Sequence, residues 1–239
     1  MTLPTFTTPE PIQVTIKLAA GEATIVASER GDTVVTVAPH NPDLATDVQA
    51  ARRVAVDYTG NTLRIGQAFP WHSRLSSKKL PGMVSITVEL PSGSQVRGDA
   101  AMGSFRSRGL LGKCTFSASY GGIQLDEIGD DLRVKNSHGS IHVQRAHANV
   151  NARTSAGNIL VGEVVRGTVD IATAVGEVEV GVRPGTAAHL DLRTRLGRIR
   201  NALSPGTANP MPPGNSPAPA DAVTIHARTN LDDILIRPS

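Results

Sequence analysis

Three residues at equivalent places in the later repeats of this chain could do acid–base chemistry: Asp170, Asp191 and His226. Stacked on neighbouring strands, Asp170 and Asp191 would be carboxylates about 5 Å apart, the separation of the catalytic pair in a retaining glycoside hydrolase. Like charges that close raise the pKa of one partner, which suits it to donate a proton. One outward position further on runs a basic row, Lys135, Arg153, Arg193 and Arg228. Arginines on a rigid sheet grip carboxylates or phosphates through paired N–H groups, so this row is a candidate ligand-binding strip. The same residues also read as a solvated face in which Asp170 and Asp191 pair with arginines next door. Exposed pairs of that kind contribute about 0–1 kcal/mol each.

Other chemistry is thinner. His138, His142 and His147 are close in sequence, but His142 points out of a strand while the others sit in turns, and no cluster has metal-ligand spacing. No metal and no cofactor is expected. There is no Gly-x-Ser-x-Gly elbow, Walker loop or dinucleotide fingerprint. Cys114 is the single cysteine, two residues before Phe116 on one strand face, and reads as a buried thiol. The loop from Phe69 to Gly82 carries Trp71, Arg74, Lys78 and Lys79, the one place where aromatic and basic residues mix. It reads either as a partner-binding or lid loop or as a cap over an open end of the fold.

What must position these residues is a repeat. Gly103, Gly121, Gly139 and Gly157 recur every 18 residues, followed by Gly176 at 19 and Gly197 at 21. Two residues after each comes Phe105, Ile123, Ile141, Ile159, Val178 or Ile199. Three residues before the later glycines sits Thr154, Thr173 or Thr194, with Asn136 in the same place before Gly139. Short regular self-similarity is the signature of stacked coils, each burying its apolar face against its neighbours. Each unit then holds two short strands: Ile141 and Val143 point inward on the first, and Val150, Ala152 and Thr154 on the second. Thr or Asn at the corner can bond nearby backbone, and the glycine removes steric conflict there.

Before the repeat, Ile12, Val14, Ile16 and Leu18 alternate as a strand, Ala20-Gly21-Glu22 reads as a turn, and Thr24 to Ala27 and Thr33 to Val37 as further strands. A short helix is expected near residues 43–53, with Asp43 as N-cap. Val54 to Tyr58 and Leu63 to Ile65 flank a Thr59-Gly60-Asn61 turn and read as a hairpin. The interval from Gly197 to the equivalent Asp232 is 35 residues, one unit plus the Pro/Gly-rich stretch 204–220. That stretch is strand-incompatible and reads as a loop inserted in the sixth unit. The fold expected is all-β, a right-handed parallel β-solenoid of about 18-residue coils; a meander β-sandwich is the alternative. One domain over 1–239 is expected, with irregular strands and a cap in 1–95 and regular repeats in 96–239.

Composition narrows the partners. Aromatic residues are 3% and hydrophobic ones 39%, so the core is built from Val, Ile, Leu, Ala and Thr. The formal net charge of +3 is too mild to imply nucleic acid by itself. Base stacking needs aromatics, and the basic row has none. The N-terminal residues carry no basic stretch followed by an apolar run, and no segment approaches the length of a membrane span, so a cytoplasmic location is expected.

The strand ending Ala-Ala-Gly-Glu (19–22), the strand Val84-Ser-Ile-Thr-Val-Glu-Leu-Pro-Ser-Gly-Ser and the repeated Thr-x-x-Gly-x-Ile/Val units together resemble the bacterial "putative adhesin" β-strand-repeat family, a domain of unknown function. The segment 159–169 is especially similar. The resemblance spans nearly the whole chain and implies a right-handed β-solenoid. It brings no catalytic residues. The chain departs from the pattern in the loop Phe69 to Gly82, and at Ala118 and Asn136, where threonine is favoured. Taken together, the expected function is a non-enzymatic binding or scaffold protein that presents its basic strip to an acidic polysaccharide or protein partner. Self-association through an open solenoid end is compatible with it. The alternative is an enzyme acting on a glycan or other acidic substrate through Asp170, Asp191 and His226.

Overall fold

The structure is a computed structural model that describes residues 4–67, 82–203 and 222–239. The loop bearing Trp71, Arg74, Lys78 and Lys79, and the 204–220 insertion, lie outside the described residues. The N-terminal part holds β1 (Thr5–Thr7), β2 (Gln13–Ser28), β3 (Asp32–Pro39), α1 (Ala45–Arg52), β4 (Val54–Thr59), β5 (Thr62–Gln67) and β6 (Val84–Pro91). The expected turn at Ala20-Gly21-Glu22 is instead a bend within the 16-residue strand β2. Gly21 takes φ +130 there, so the chain changes face without breaking its ladder. The helix falls where expected, but Leu44 rather than Asp43 is its N-cap and supplies no side-chain bond. The Asp43 amide is held by Asn41 Oδ1 at 2.9 Å, which makes a local turn ahead of the helix. Asp47, only 4% exposed, ties that helix to β6 by accepting the Asn41 amide at 3.1 Å and the Met83 amide at 3.0 Å.

The coils comprise β7 (Gln95–Arg108), β8 (Leu110–Leu111), β9 (Cys114–Tyr120), β10 (Ile123–Ile128), β11 (Leu132–His138), β12 (Ile141–Ala146), β13 (Val150–Ala156), β14 (Ile159–Val164), β15 (Gly167–Val175) and β16 (Val178–Val182). The last four strands are β17 (Ala188–Leu196), β18 (Ile199–Asn201), β19 (Val223–Leu231) and β20 (Ile234–Pro238). Ile123 pairs with Ile141, and Ile141 with Ile159, in parallel register. A meander sandwich would pair them antiparallel, so the stacked-coil reading stands. One face runs β5-β2-β7-β9-β11-β13-β15-β19-β17, and the other runs β6-β2-β7-β10-β12-β14-β16-β20-β18. Antiparallel pairs close the N-terminal end: β4 on β5, β3 on β6 and β1 on β3.

Between the two faces lies a continuous aliphatic core. Ile123, Val134, Ile141, Ala152, Ile159 and Ile171 are all 0% exposed. Each large side chain so buried contributes about 1.5–3 kcal/mol. Small and large residues alternate up one inward column, Ala152 against Ile171 and Ile171 against Ala227. Such alternation lets adjacent coils interlock at native density. Near the N-terminal end the rings of Phe105 and Phe116 meet at 5.1 Å, and Gly98 leaves the room they fill.

The corner explains the glycine period. At Gly139 the backbone takes φ +132, and a Cβ would lie 2.2 Å from the Gly121 carbonyl oxygen of the coil below. Thr173 donates to the Gly157 and Val175 carbonyls at 3.1 Å, and Thr229 donates to the Gly176 carbonyl at 3.1 Å. Asn136 reaches the Gly121 and Gly139 carbonyls at 2.8 and 3.0 Å. Those bonds satisfy backbone acceptors that the tight corner would otherwise strand.

The end of the stack differs from the order of the chain. β19 pairs with β15 on one side and β17 on the other, and β20 likewise separates β16 from β18. The outermost coil is therefore made of β17 and β18, and the last two strands of the chain, β19 and β20, sit inside it. Burial gives the reason. The inward residues Val223, Ile225, Ala227, Ile234 and Ile236 are aliphatic and 0% exposed, whereas the place opposite Ile236 in β18 is Asn201. A coil with a polar residue at a core position belongs at an end. The level is skipped between β16 and β17, across residues 183–187.

Candidate functional site

On a strand with period 2, every second residue of β9, β11, β13, β15, β19 and β17 points away from the core, so one face carries two parallel outer rows. In stacking order the first row reads Thr115, Arg133, Asn151, Asp170, His226, Asp191. The second reads Ser117, Lys135, Arg153, Ala172, Arg228, Arg193. Lys135, Arg153, Arg193 and Arg228 thus do share a row.

Asp170 and Asp191 are not neighbours. His226 stands between them, so the carboxylates are two strands apart, about 10 Å at the usual strand spacing. The separation of about 5 Å expected for a retaining pair is absent, because β19 occupies the level between β15 and β17. Their partners also differ from those of a proton donor. Asp191 accepts from Arg193 at 3.0 Å, with His226 Nδ1 at 3.5 Å and Arg228 at 3.7 Å. The Arg193 guanidinium, helped by His226 and Arg228, holds the Asp191 carboxyl below its ordinary range, opposite in direction to the shift that acid catalysis needs. Asp170 accepts from Arg153 at 3.1 Å and from Asn151 at 3.2 Å.

Those ion pairs sort the basic row. Arg153, Arg193 and Arg228 each face a carboxylate of the first row. Lys135 carries no ion pair or side-chain hydrogen bond among the described residues, nor do Arg133 beside it and Lys113 one level away. Lys113 and Arg133 border a groove of about 390 Å³ that crosses β9, β11, β13 and β15 near their N-terminal ends. Its walls include Thr115, Asp131, Asn149, Asn151, Thr168 and Asp170. Asn149 donates to Asp131 at 2.9 Å and accepts the Thr168 amide at 2.9 Å, so the groove floor is braced by side-chain bonds between levels. Both carboxylates of the groove are already engaged by amide donors, while both of its cations are open to a ligand. Arg133 and Lys113 are legible in the sequence as outward residues. What marks them is that neither forms an ion pair among the described residues, and that is decided by side-chain placement in the folded stack.

Cys114 is 1% exposed beneath the groove, and burial pushes its thiol up to about 12, as expected for an inert buried cysteine. His138 stacks on Tyr120 with ring centroids 4.7 Å apart, and His147 Nε2 lies 2.6 Å from Glu127. Among the described residues no three His, Cys, Asp or Glu side chains converge as a metal site would require. No described helix is long and apolar enough to cross a membrane.

The chain matches no family model and no curated protein. Among solved structures it is similar to a "putative adhesin" from Bacteroides fragilis, at 11% identity and a TM-score of 0.45, over 98% of this chain and 96% of that one. A "putative adhesin" from Parabacteroides distasonis matches at 12% identity and a TM-score of 0.43, over 98% and 96%. A "putative cell adhesion protein" from Clostridium sporogenes matches at 13% and 0.36, over 100% and 99%. These three structures are named as adhesins or cell adhesion proteins. Their names agree with the resemblance read from the sequence. Likeness this distant carries no function across, so the function of this chain has to come from its own residues.

Proposed function

We propose that this chain is a non-enzymatic binding protein that recognises an acidic polysaccharide along the groove bordered by Lys113 and Arg133, with Lys135 beside it. The observation that carries the reading is the set of three unpaired cations on two adjacent levels of a rigid sheet, Lys113 on one and Arg133 and Lys135 on the next, at and beside a groove lined by amides and hydroxyls. Levels about 4.8 Å apart are close to the rise of one sugar unit, so a polymer lying across the strands meets a new level at each unit. Arginine and lysine would meet its carboxylates, and Asn151, Thr115 and Thr168 its hydroxyls. Arg153, Arg193 and Arg228, satisfied by Asp170 and Asp191, would support the strip's geometry and add less attraction than Lys135.

Titration calorimetry with polygalacturonate, at low and at physiological salt, tests this. Binding that weakens with salt and falls at least tenfold in Arg133→Ala/Lys135→Ala supports it. Arg153→Ala and Arg193→Ala should weaken binding only about two- to threefold, the scale of an exposed pair. Affinity unchanged by Arg133→Ala/Lys135→Ala would remove the groove as the site.

A further inference from the structure

A second surface, separate from the groove, stands at the C-terminal end of the stack. The outermost coil is β17 and β18, and among the described residues no strand pairs with their far side. At the other end the edges are β1, of three residues, and β4, the outer strand of a hairpin. The nine-residue β17 leaves its core-facing leucines only partly covered: Leu190 and Leu192 are half-buried, and Ile199 of β18 is 46% exposed. One level in, the equivalent Ile225, Ala227 and Ile234 are 0% exposed. The end is therefore an apolar surface bounded by unpaired backbone groups, the arrangement that accepts an added strand.

Charge selects the strand. Residues 188–201 hold Arg193, Arg195, Arg198 and Arg200 against Asp191, a net +3 with His189 neutral, equal to the formal charge of the whole chain. Asp191 is tied to Arg193, and Asp233 of the adjoining corner accepts the Arg198 amide at 2.8 Å. Asp232 lies at the same corner. The guanidinium groups of Arg195, Arg198 and Arg200 have no ion pair among the described residues. A second copy of this end would bring like charges together, which disfavours end-to-end pairing of the chain with itself.

We infer that the β17 edge binds an extended acidic segment of another protein by strand addition. Alternate apolar side chains of that segment would cover Leu190, Leu192 and Ile199. Its intervening Asp or Glu residues would face Arg193 and Arg195, and its backbone would complete the open ladder.

The probe is a fluorescein-labelled seven-residue peptide alternating glutamate and valine, read by anisotropy on the full chain. Saturable binding is expected, at least tenfold weaker for Arg195→Glu/Arg198→Glu and lost for the same peptide N-methylated on alternate amides. Amide exchange in β17 should be fast in the free chain and slow with the peptide present. A peptide alternating lysine and valine that binds equally well would overturn the inference. So would an N-methylated peptide that keeps its affinity, which would mean charge attraction without strand pairing. Protection of the β17 amides in the free chain, whether from its own residues or from a dimer seen by sedimentation, would also overturn it. Phosphatidylserine vesicles bound through Arg195 and Arg198 in the absence of peptide binding would assign the end to a lipid surface instead. None of these readouts depends on Arg133 or Lys135, so failure here leaves the groove proposal standing.

Discussion

Replacing Asp232 by glycine should stabilise the protein. Asp232 occupies the corner level that Gly103, Gly121, Gly139, Gly157, Gly176 and Gly197 occupy in the other coils, yet it takes φ +94 with a Cβ. The hydrogen bonds that join successive corners record the cost. Gly121, Gly139 and Gly157 donate to the level above at 3.0, 2.9 and 2.8 Å, but Gly176 reaches the Leu231 carbonyl only at 3.4 Å. The long bond lies where the one side-chain-bearing corner meets its neighbour. Relief of left-handed strain gains about 1–2 kcal/mol. The added freedom of glycine in the unfolded chain costs about 0.5–1 kcal/mol. The side chain of Asp232 is exposed and makes no hydrogen bond or ion pair among the described residues, so nothing else is lost. The net gain is about 0.5–1 kcal/mol, or about 1–4 °C in Tm for a chain of 239 residues. Urea denaturation at unchanged m-value, with a parallel thermal scan, measures it. Slower exchange of the Gly176 amide should accompany the gain. A lower midpoint for Asp232→Gly would refute the view that close coil stacking is what demands glycine at this corner.

The converse change, Gly139→Ala, meets both positive φ and a backbone oxygen 2.2 Å from the new Cβ, so it should cost at least about 3 kcal/mol by the same measurement. Thr173→Val keeps the shape but removes donation to two carbonyls, and a loss of about 1–2 kcal/mol is expected in denaturant midpoint. Asp47 is held below the ordinary carboxylate range first by the Met83 amide and then by that of Asn41. A depressed folded pKa means its stabilisation is complete above about pH 4 and is lost as pH falls through the folded value. Stability of Asp47→Asn, followed from pH 6 to pH 2, should therefore decline less steeply over that interval than the parent.

Much of the fold is legible because local spacing and side-chain alternation are properties of the chain itself. The 18-residue glycine interval marks corners whose backbones stack too closely for a Cβ. The alternation of Ile141, Val143, Val150 and Ala152 marks the core faces, and Thr173 and Asn136 do at the corner what their polar groups suggest. Gly21 escapes the same reading. It belongs to the corner ladder beside Gly103, but 82 residues separate the two, so no period connects them. The helix could be located but not its cap, because its start is fixed by the Asn41 amide donating to Asp47 and the Asp43 amide donating to Asn41 rather than by a residue at the N-cap.

The candidate site divides along the same line. Which residues are inward or outward, and which share a row, can be read from the amino acids alone, since both depend on a period of two along a strand and a fixed coil length. Which coil lies next to which at the C-terminal end cannot. Chain order places Asp191 beside Asp170, and the folded stack inserts β19 between them. That choice is made by core burial: the aliphatic inward face of β19 and β20 gains more from neighbours on both sides than a coil carrying Asn201. Charge pairing is a consequence of the stacking, which leaves Lys113, Arg133 and Lys135 open, satisfies Arg153, Arg193 and Arg228, and puts an arginine-rich strand at the edge.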